Sequence, residues 1–145
     1  MSIVFILIDD DYDDRELFKE ALSEIDSTIL CYCFGDGEEA IKKLDNNAFD
    51  EPSVMFVDIN LPEMSGWEVL TKVKRSEQHK HIPVVMYSTS SHKRDKEIAL
   101  DLGAICLITK PNNYKILKDI LGMIVRTLDN NDSIYLIHDQ IIAFS

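Results

Sequence analysis

The sequence predicts a single α/β domain built as (βα)5, with five parallel strands in a doubly wound sheet. Three observations carry this expectation. Five short apolar runs rich in β-branched residues recur along the 145-residue chain, and segments with helical spacing of apolar residues separate them. Strands joined by helices run parallel, with right-handed crossovers that lay helices on both faces of the sheet. The length suits one domain with a proper hydrophobic core.

In chain order, 3–8 (IVFILI), 28–33 (TILCYC), 54–58 (VMFVD), 83–88 (PVVMYS) and 105–109 (ICLIT) read as strands buried on both faces, because a continuous apolar run leaves no polar side for water. After the first run, Leu17, Phe18, Ala21, Leu22 and Ile25 fall at helical spacing. Ala40, Ile41 and Leu44 follow the second run, and Val69, Leu70 and Val73 the third. The clearest stripe is Ile116, Leu117, Ile120, Leu121, Ile124, Val125 and Leu128. Asp36 with Glu39, and Ser65 with Glu68, have the spacing of capping boxes that start helices. With no internal linker, the domain is expected over 1–130, followed by a short apolar tail at 131–145 and no separate effector domain.

Composition narrows the function. With 46% hydrophobic and 28% charged residues the chain is an ordinary globular one. A net charge of -11 argues against nucleic acid as a partner, since a binder needs a basic face to replace counterions. Divalent cations and basic protein surfaces fit that charge better. Cys31, Cys33 and Cys106 form no C-x-x-C pair and are odd in number, so they read as small buried hydrophobes in a reducing compartment. No basic leader precedes the first apolar run, which is too short to span a membrane. A cytoplasmic protein, free of membrane and nucleic acid, is expected.

Doubly wound sheets bind ligands beyond the carboxyl ends of their strands. At that edge the stretch FILIDDDYDDREL (5–17) places five aspartates within six positions. Asp11 is free to shape the turn, and Asp13 and Asp14 fall in the first helical turn, where the helix dipole favours negative charge. Asp9 and Asp10 differ, because adjacent carboxylates at a buried strand end repel and need a partner. Asp58 leaves the third strand at the same edge. At an effective dielectric near 20, each pair about 4 Å apart repels by roughly 4 kcal/mol, so protons or a divalent cation must relieve the cluster. An all-oxygen set suits Mg²⁺, which takes one or two carboxylates and keeps room for water and phosphate oxygens. The fourth strand ends in Ser88, and the fifth ends at Thr109 with Lys110 and Pro111 next. A lone carboxylate, a hydroxyl, an ammonium and Mg²⁺ around one cavity amount to phosphoryl-transfer equipment. Asp58 is the nucleophile of such a set.

Asp9-Asp10, the D-I-N-L-P-x-M-x-G run from Asp58, Ser88 and Lys110-Pro111 occur in that order at successive strand ends. On these residues the chain resembles the receiver domains of bacterial two-component response regulators, including the stand-alone chemotaxis type, over about residues 3–128. The resemblance implies a flavodoxin-like fold with strand order 2-1-3-4-5. It implies that Asp58 accepts a phosphoryl group from a sensor histidine kinase or phosphotransfer protein and so switches protein–protein interactions. Asp10 and Asp58 would ligate Mg²⁺ with the backbone carbonyl of Asn60, and Asp9 would act mainly through water. Lys110 would meet a phosphoryl oxygen, across a cis bond to Pro111, and Ser88 would swing in to report the modification. Any catalysis would be confined to the protein's own phosphotransfer and dephosphorylation, so it is not expected to be an enzyme.

Some positions depart from that pattern. Leu107 stands where receivers usually place an aromatic ring that moves with the hydroxyl, and Tyr12 where many have proline. Asn112 reads as a helix N-cap. His92, Lys93, Arg94 and Lys96, beside His79, Lys80 and His81, read as a basic cluster and mainly a solvated face, on the helix four to strand five side where receivers meet partners, a second copy included. Trp67 reads as core or flank. His138 beside Asp139 lacks the four-helix setting of a phosphorelay histidine. The tail either covers an exposed edge of the domain or pairs with a second subunit. Three rival functions share parts of this pattern. An Mg²⁺-dependent phosphatase with an aspartyl phosphate needs a second aspartate two positions after the first, where Asn60 stands. A flavodoxin-like cofactor binder would have its phosphate repelled by the aspartates. The third is a degenerate, unphosphorylated interaction module.

Overall fold

The computed structural model describes residues 2–134. The order is β1 (Val4–Ile8), α1 (Tyr12–Ile25), β2 (Leu30–Phe34), α2 (Gly37–Asp45), β3 (Val54–Val57), α3 (Gly66–Arg75), β4 (Val84–Ser88), α4 (Lys93–Asp101), β5 (Cys106–Thr109) and α5 (Tyr114–Asp129). All paired strands are parallel, and the order across the sheet is β2-β1-β3-β4-β5, the flavodoxin-like arrangement the resemblance implied.

Alternation along each strand sends side chains to two separate cores. Phe5, Leu7, Phe56, Val85, Tyr87 and Ile108 meet α1 and α5 through Phe18, Leu22, Leu121 and Ile124. Ile6, Ile8, Met55, Val57, Met86 and Leu107 meet α2, α3 and α4 through Ala40, Leu44, Val69, Leu70 and Ala99. Four rings dominate the first core. Phe18 lies edge-on to Phe5, Phe56 and Tyr87 at centroid separations of 6.3, 5.0 and 5.7 Å, directly beneath the edge where Tyr87 meets Lys110.

β2 corrects an expectation. It starts at Leu30 rather than 28 and takes in Phe34, because Asp26 ties down Thr28 by accepting from its N–H and hydroxyl. It is also half-exposed rather than buried on both faces, since the strand order places it at the sheet margin. Cys31 and Cys33 are therefore half-buried, their sulfurs 3.8 Å apart. Cys106, on the other margin, is buried as expected, and burial pushes its thiol up to about 12. Leu17 falls outside the buried stripe of α1 and is 44% exposed.

Side chains stop orphan amides at the starts of α1, α2, α3 and α5, whereas His92 at the start of α4 makes no side-chain cap. Asp36 and Ser65 accept from Glu39 and Glu68, as the sequence spacing predicted, and Asp11 accepts from Asp14. At α5 the cap is Asn113, not Asn112, because position 113 is the one three residues before the free amide of Ile116. The basic cluster is also divided. His79 pairs with Asp45 at 3.1 Å and His81 with Glu51, all before β4 begins, whereas His92 to Lys96 open α4 beyond its far end. Five strand residues separate the two groups by about 17 Å. Among the described residues no helix is long and apolar enough to cross a membrane. The expectations for residues 135–145, His138 and Asp139 included, lie outside the described residues; Ile134 is buried in the α1/α5 core.

Candidate functional site

Asp9 and Asp58 leave β1 and β3 at the same edge because those strands are neighbours in register, Ile8 opposite Val57. The ladder continues past both ends: Asp9 N–H donates to Phe34 O and Asp58 N–H to Ile8 O, each at 2.9 Å. The acids are thus fixed by backbone. Asp9 is wholly buried, and its Oδ1 accepts from Asp11 N–H at 3.0 Å. Arg15 folds back from α1 so that Nη1 donates to Asp9 O at 2.7 Å. Asp58 is 6% exposed, with Oδ1 accepting from Asn60 N–H at 3.1 Å. Asp10 stands exposed at the mouth, and one carboxylate oxygen each from Asp9, Asp10 and Asp58 lies within 4.8 Å of the others.

The fit to a hard cation rests on one orphan atom. Asp9 Oδ2 is buried with no hydrogen-bond donor. Lys110 Nζ is 2.8 Å away but out of line, so that contact is an ion pair rather than a directed bond. One ammonium does not balance three converging carboxylates, and a divalent ion supplies the positive charge that is missing. Burial raises Asp9 to about 6, with the Lys110 ammonium and the Asp11 amide pulling the other way.

Lys110 reaches the cluster from the end of β5. Its N–H donates to Ser88 O at 2.7 Å, and Nζ donates to Asp14 at 2.8 Å and Asp58 at 3.0 Å. Burial alone would lower its ammonium, but Asp14, Asp9 and Asp58 together hold it above its ordinary value. Tyr87 lies beneath, its ring centroid 5.6 Å from Nζ, and burial pushes the phenol up. The bond to Pro111 is trans, contrary to expectation. Trans is favoured by about 0.5–1 kcal/mol, and Lys110 reaches all three carboxylates with it.

Ser88 is buried at the end of β4, with Oγ accepting a long 3.4 Å bond from Ser90 N–H. Ser90 then links three elements. Its hydroxyl donates to Asp95 on α4, and its carbonyl accepts from Thr109 Oγ1 on β5 at 2.8 Å. Leu107 is buried beside Met86 on the opposite face of the sheet from Tyr87. Trp67 flanks the α3 core, half-buried.

The structure therefore gathers Asp9, Asp10, Asp58, Asn60, Ser88 and Lys110 at one edge. Sequence reasoning missed four neighbours. Asp14 was read only as a helix-start acid, although it lies one turn past Asp10 and faces Lys110. Arg15 and Tyr87 carried no signal in their spacing. Gly66, quoted within the motif, is where α3 presses on the loop: a Cβ there would lie 2.0 Å from Asp58 O and 2.7 Å from Ile59 Cα. In the same loop Glu63 takes φ 61, a left-handed conformation that a non-glycine residue adopts at a cost of about 1–2 kcal/mol.

Comparison with known proteins agrees with this geometry. The family model of the response regulator receiver domain matches residues 5–122. Chemotaxis protein CheY1 of Helicobacter pylori is 32% identical over 86% of this chain and 98% of its own. Response regulator Rcp1 of Synechocystis sp. is 33% identical over 83% of each chain. Among solved structures, the phosphorylated cyanobacterial phytochrome response regulator RcpA superposes with a TM-score of 0.83 at 30% identity, covering 92% of this chain and 98% of that one. The Mn²⁺-bound form of Rcp1 gives 0.75 at 29% identity, covering 84% and 91%.

Proposed function

This chain belongs to the response regulator receiver family of two-component signalling, and from that premise we propose that it accepts a phosphoryl group on Asp58 from a histidine kinase or phosphotransfer protein and thereby switches its binding to another protein. One observation carries the reading. Asp58 is a buried carboxylate with Lys110 Nζ 3.0 Å away, while Asp9 and Asp10 close one side and Ser88 ends the next strand. Asp58 would attack phosphorus as the bond to the donor's leaving group breaks, and that group departs with the electron pair. Lys110 offsets charge on the phosphoryl oxygens, and Ser88 donates its hydroxyl to one of them. Receivers bind a divalent metal, here in our reading Mg²⁺ held by Asp10, Asp58 and the Asn60 carbonyl, with Asp9 acting through water. Bound there, it supplies positive charge to oxygens of the transferring group. The protein works in the cytoplasm as a signalling domain whose chemistry is confined to its own phosphotransfer and dephosphorylation. Incubation with Mg²⁺ and acetyl phosphate tests the reading: the intact mass should rise by one phosphoryl group, and an unchanged mass would sink it.

The metal arm is testable without phosphate. Millimolar Mg²⁺ is expected to raise the thermal midpoint by a few degrees, on the order of 1 kcal/mol, and Asp10→Asn to remove most of that gain. With Asp9 raised to about 6, the folded protein holds a proton there that the unfolded chain, at 3.8, gives up. Without Mg²⁺, stability therefore grows as pH falls from about 6 toward 3.8, and Mg²⁺ must displace that proton. The Mg²⁺ gain should be full above pH 6 and shrink below it. A gain that grows on acidification would contradict this assignment.

The switch follows the polar links of Ser90. Movement of Ser88 toward a phosphoryl group breaks its bond from Ser90, which bears on Asp95 and Thr109. Leu107, with neither ring nor hydroxyl, has nothing to hand over. Beryllofluoride is expected to raise hydrogen-exchange protection across 88–96 with little change at Leu107, and Ser88→Ala to abolish the rise. Equal protection along β5 would point to another route.

A further inference from the structure

Asp14 is a third carboxylate on Lys110, beside Asp9 and Asp58, and the family reading gives it no part. Its Oδ2 takes one of the two directed hydrogen bonds of Nζ, at 2.8 Å, the other going to Asp58 at 3.0 Å. Asp9 and Asp58 have side chains 0% and 9% exposed, whereas that of Asp14 is 35% exposed, so it closes the pocket from the solvent side. The Lys110 ammonium makes two directed hydrogen bonds and an undirected ion pair to Asp9, so three carboxylates crowd it. For Lys110 to take up a phosphoryl oxygen, one carboxylate must give way. Asp9 is fixed by backbone, and Asp58 carries the phosphoryl group. Asp14, the most exposed of the three, can turn to water at least cost.

We propose that Asp14 acts through Lys110: it engages one N–H of the ammonium from the solvent side before transfer and, through its charge, slows acceptance of anionic phosphoryl donors. The proposal rests on phosphorylation at Asp58. Two facts decide its sign. Removing Asp14 leaves Lys110 oriented, since Asp9 and Asp58 remain at 2.8 and 3.0 Å and its N–H stays on Ser88 O. It also takes one negative charge from a site where four acids, Asp9, Asp10, Asp14 and Asp58, face a single ammonium, so a dianionic donor meets less repulsion. The step itself is unaltered: an Asp58 oxygen bonds to phosphorus, the bond from phosphorus to the acetate oxygen breaks, and acetate leaves with the electron pair.

The test measures phosphorylation rates at saturating Mg²⁺ for wild type, Asp14→Asn, Asp14→Ala and Asp14→Glu, with acetyl phosphate and with the less anionic phosphoramidate. With acetyl phosphate, the two neutral variants are expected to react about three- to tenfold faster than wild type, the scale of one unit charge a few ångströms away in partly screened surroundings. Their advantage should shrink with phosphoramidate and at high salt, and Asp14→Glu should stay near wild type. Mg²⁺ affinity, read from the thermal midpoint, separates a metal effect from a donor effect. Neutral variants no faster than wild type, or a glutamate variant that behaves as they do, would overturn the proposal while leaving phosphorylation of Asp58 intact. Failure of wild type to take phosphoryl from either donor would overturn both.

Discussion

Asp58→Asn is expected to take up no phosphoryl group from acetyl phosphate, a loss of every turnover rather than a slowing. An amide oxygen is a poor nucleophile and carries no charge to attack phosphorus, yet asparagine has the shape of aspartate. Its oxygen can still accept from Asn60 N–H or Lys110, so the loop keeps its form. The change also removes one of the carboxylates crowded against Asp9 and Asp10, which offsets the weakened contact to Lys110. Folding stability should therefore change by less than about 1 kcal/mol, and the loss is chemical rather than structural. Denaturant unfolding beside phosphorylation separates the two. A variant that is labelled at the wild-type rate would show that Asp58 is not the acceptor.

Gly66→Ala carries the largest expected effect on stability. A methyl group there would collide with three backbone atoms at once, 2.0 Å from Asp58 O and 2.7 Å from both Asp58 C and Ile59 Cα. Backbone cannot swing aside as a side chain does, so either α3 retreats from the sheet or the loop after Asp58 shifts. Overpacking of this kind costs typically 1–3 kcal/mol, and with backbone as the obstacle a loss of about 3 kcal/mol or more is expected. A shift of about 1 Å at the nucleophile also lowers the rate by roughly 10²-fold. Gly37→Ala is the milder case, since its Cβ would meet one side chain, the buried and χ1-stiff Val69 at 2.4 Å, rather than three backbone atoms, and a smaller loss is expected. A Gly66→Ala protein that unfolds within 1 kcal/mol of wild type would show that the helix and loop are not so closely bound.

Most of the fold was legible because its strands are nearly continuous apolar runs and most of its helix starts carry their own caps, α4 excepted. Ile6, Phe56 and Met86 needed no partner to declare themselves buried. β2 was misread because the signal for a buried strand, an apolar run, is the same at the centre and at the margin of a sheet; only strand order distinguishes them. His79 and His92 are near in sequence, yet the extended β4 carries them to opposite edges of the sheet. At the site, Asp9, Asp10, Asp58, Ser88 and Lys110 could be read because each ends a strand at one edge. Asp14 and Arg15 could not, since their contacts depend on how α1 is turned, and both have an ordinary reading as helix-surface charges. Gly66 shows only that a small residue follows a capping serine; the contact that excludes a larger one is tertiary.

Everything proposed for the site turns on which atom receives the phosphoryl group, and peptide mapping by mass spectrometry after brief reaction with acetyl phosphate and Mg²⁺ answers that directly. The phosphoryl group is expected on the peptide containing Asp58, on that residue, as a base-labile acyl phosphate absent when Mg²⁺ is withheld. Labelling of a histidine, of Asp9 or of Asp10 in place of Asp58 would contradict the assignment of the nucleophile and, with it, the roles given to Lys110, Ser88 and Asp14.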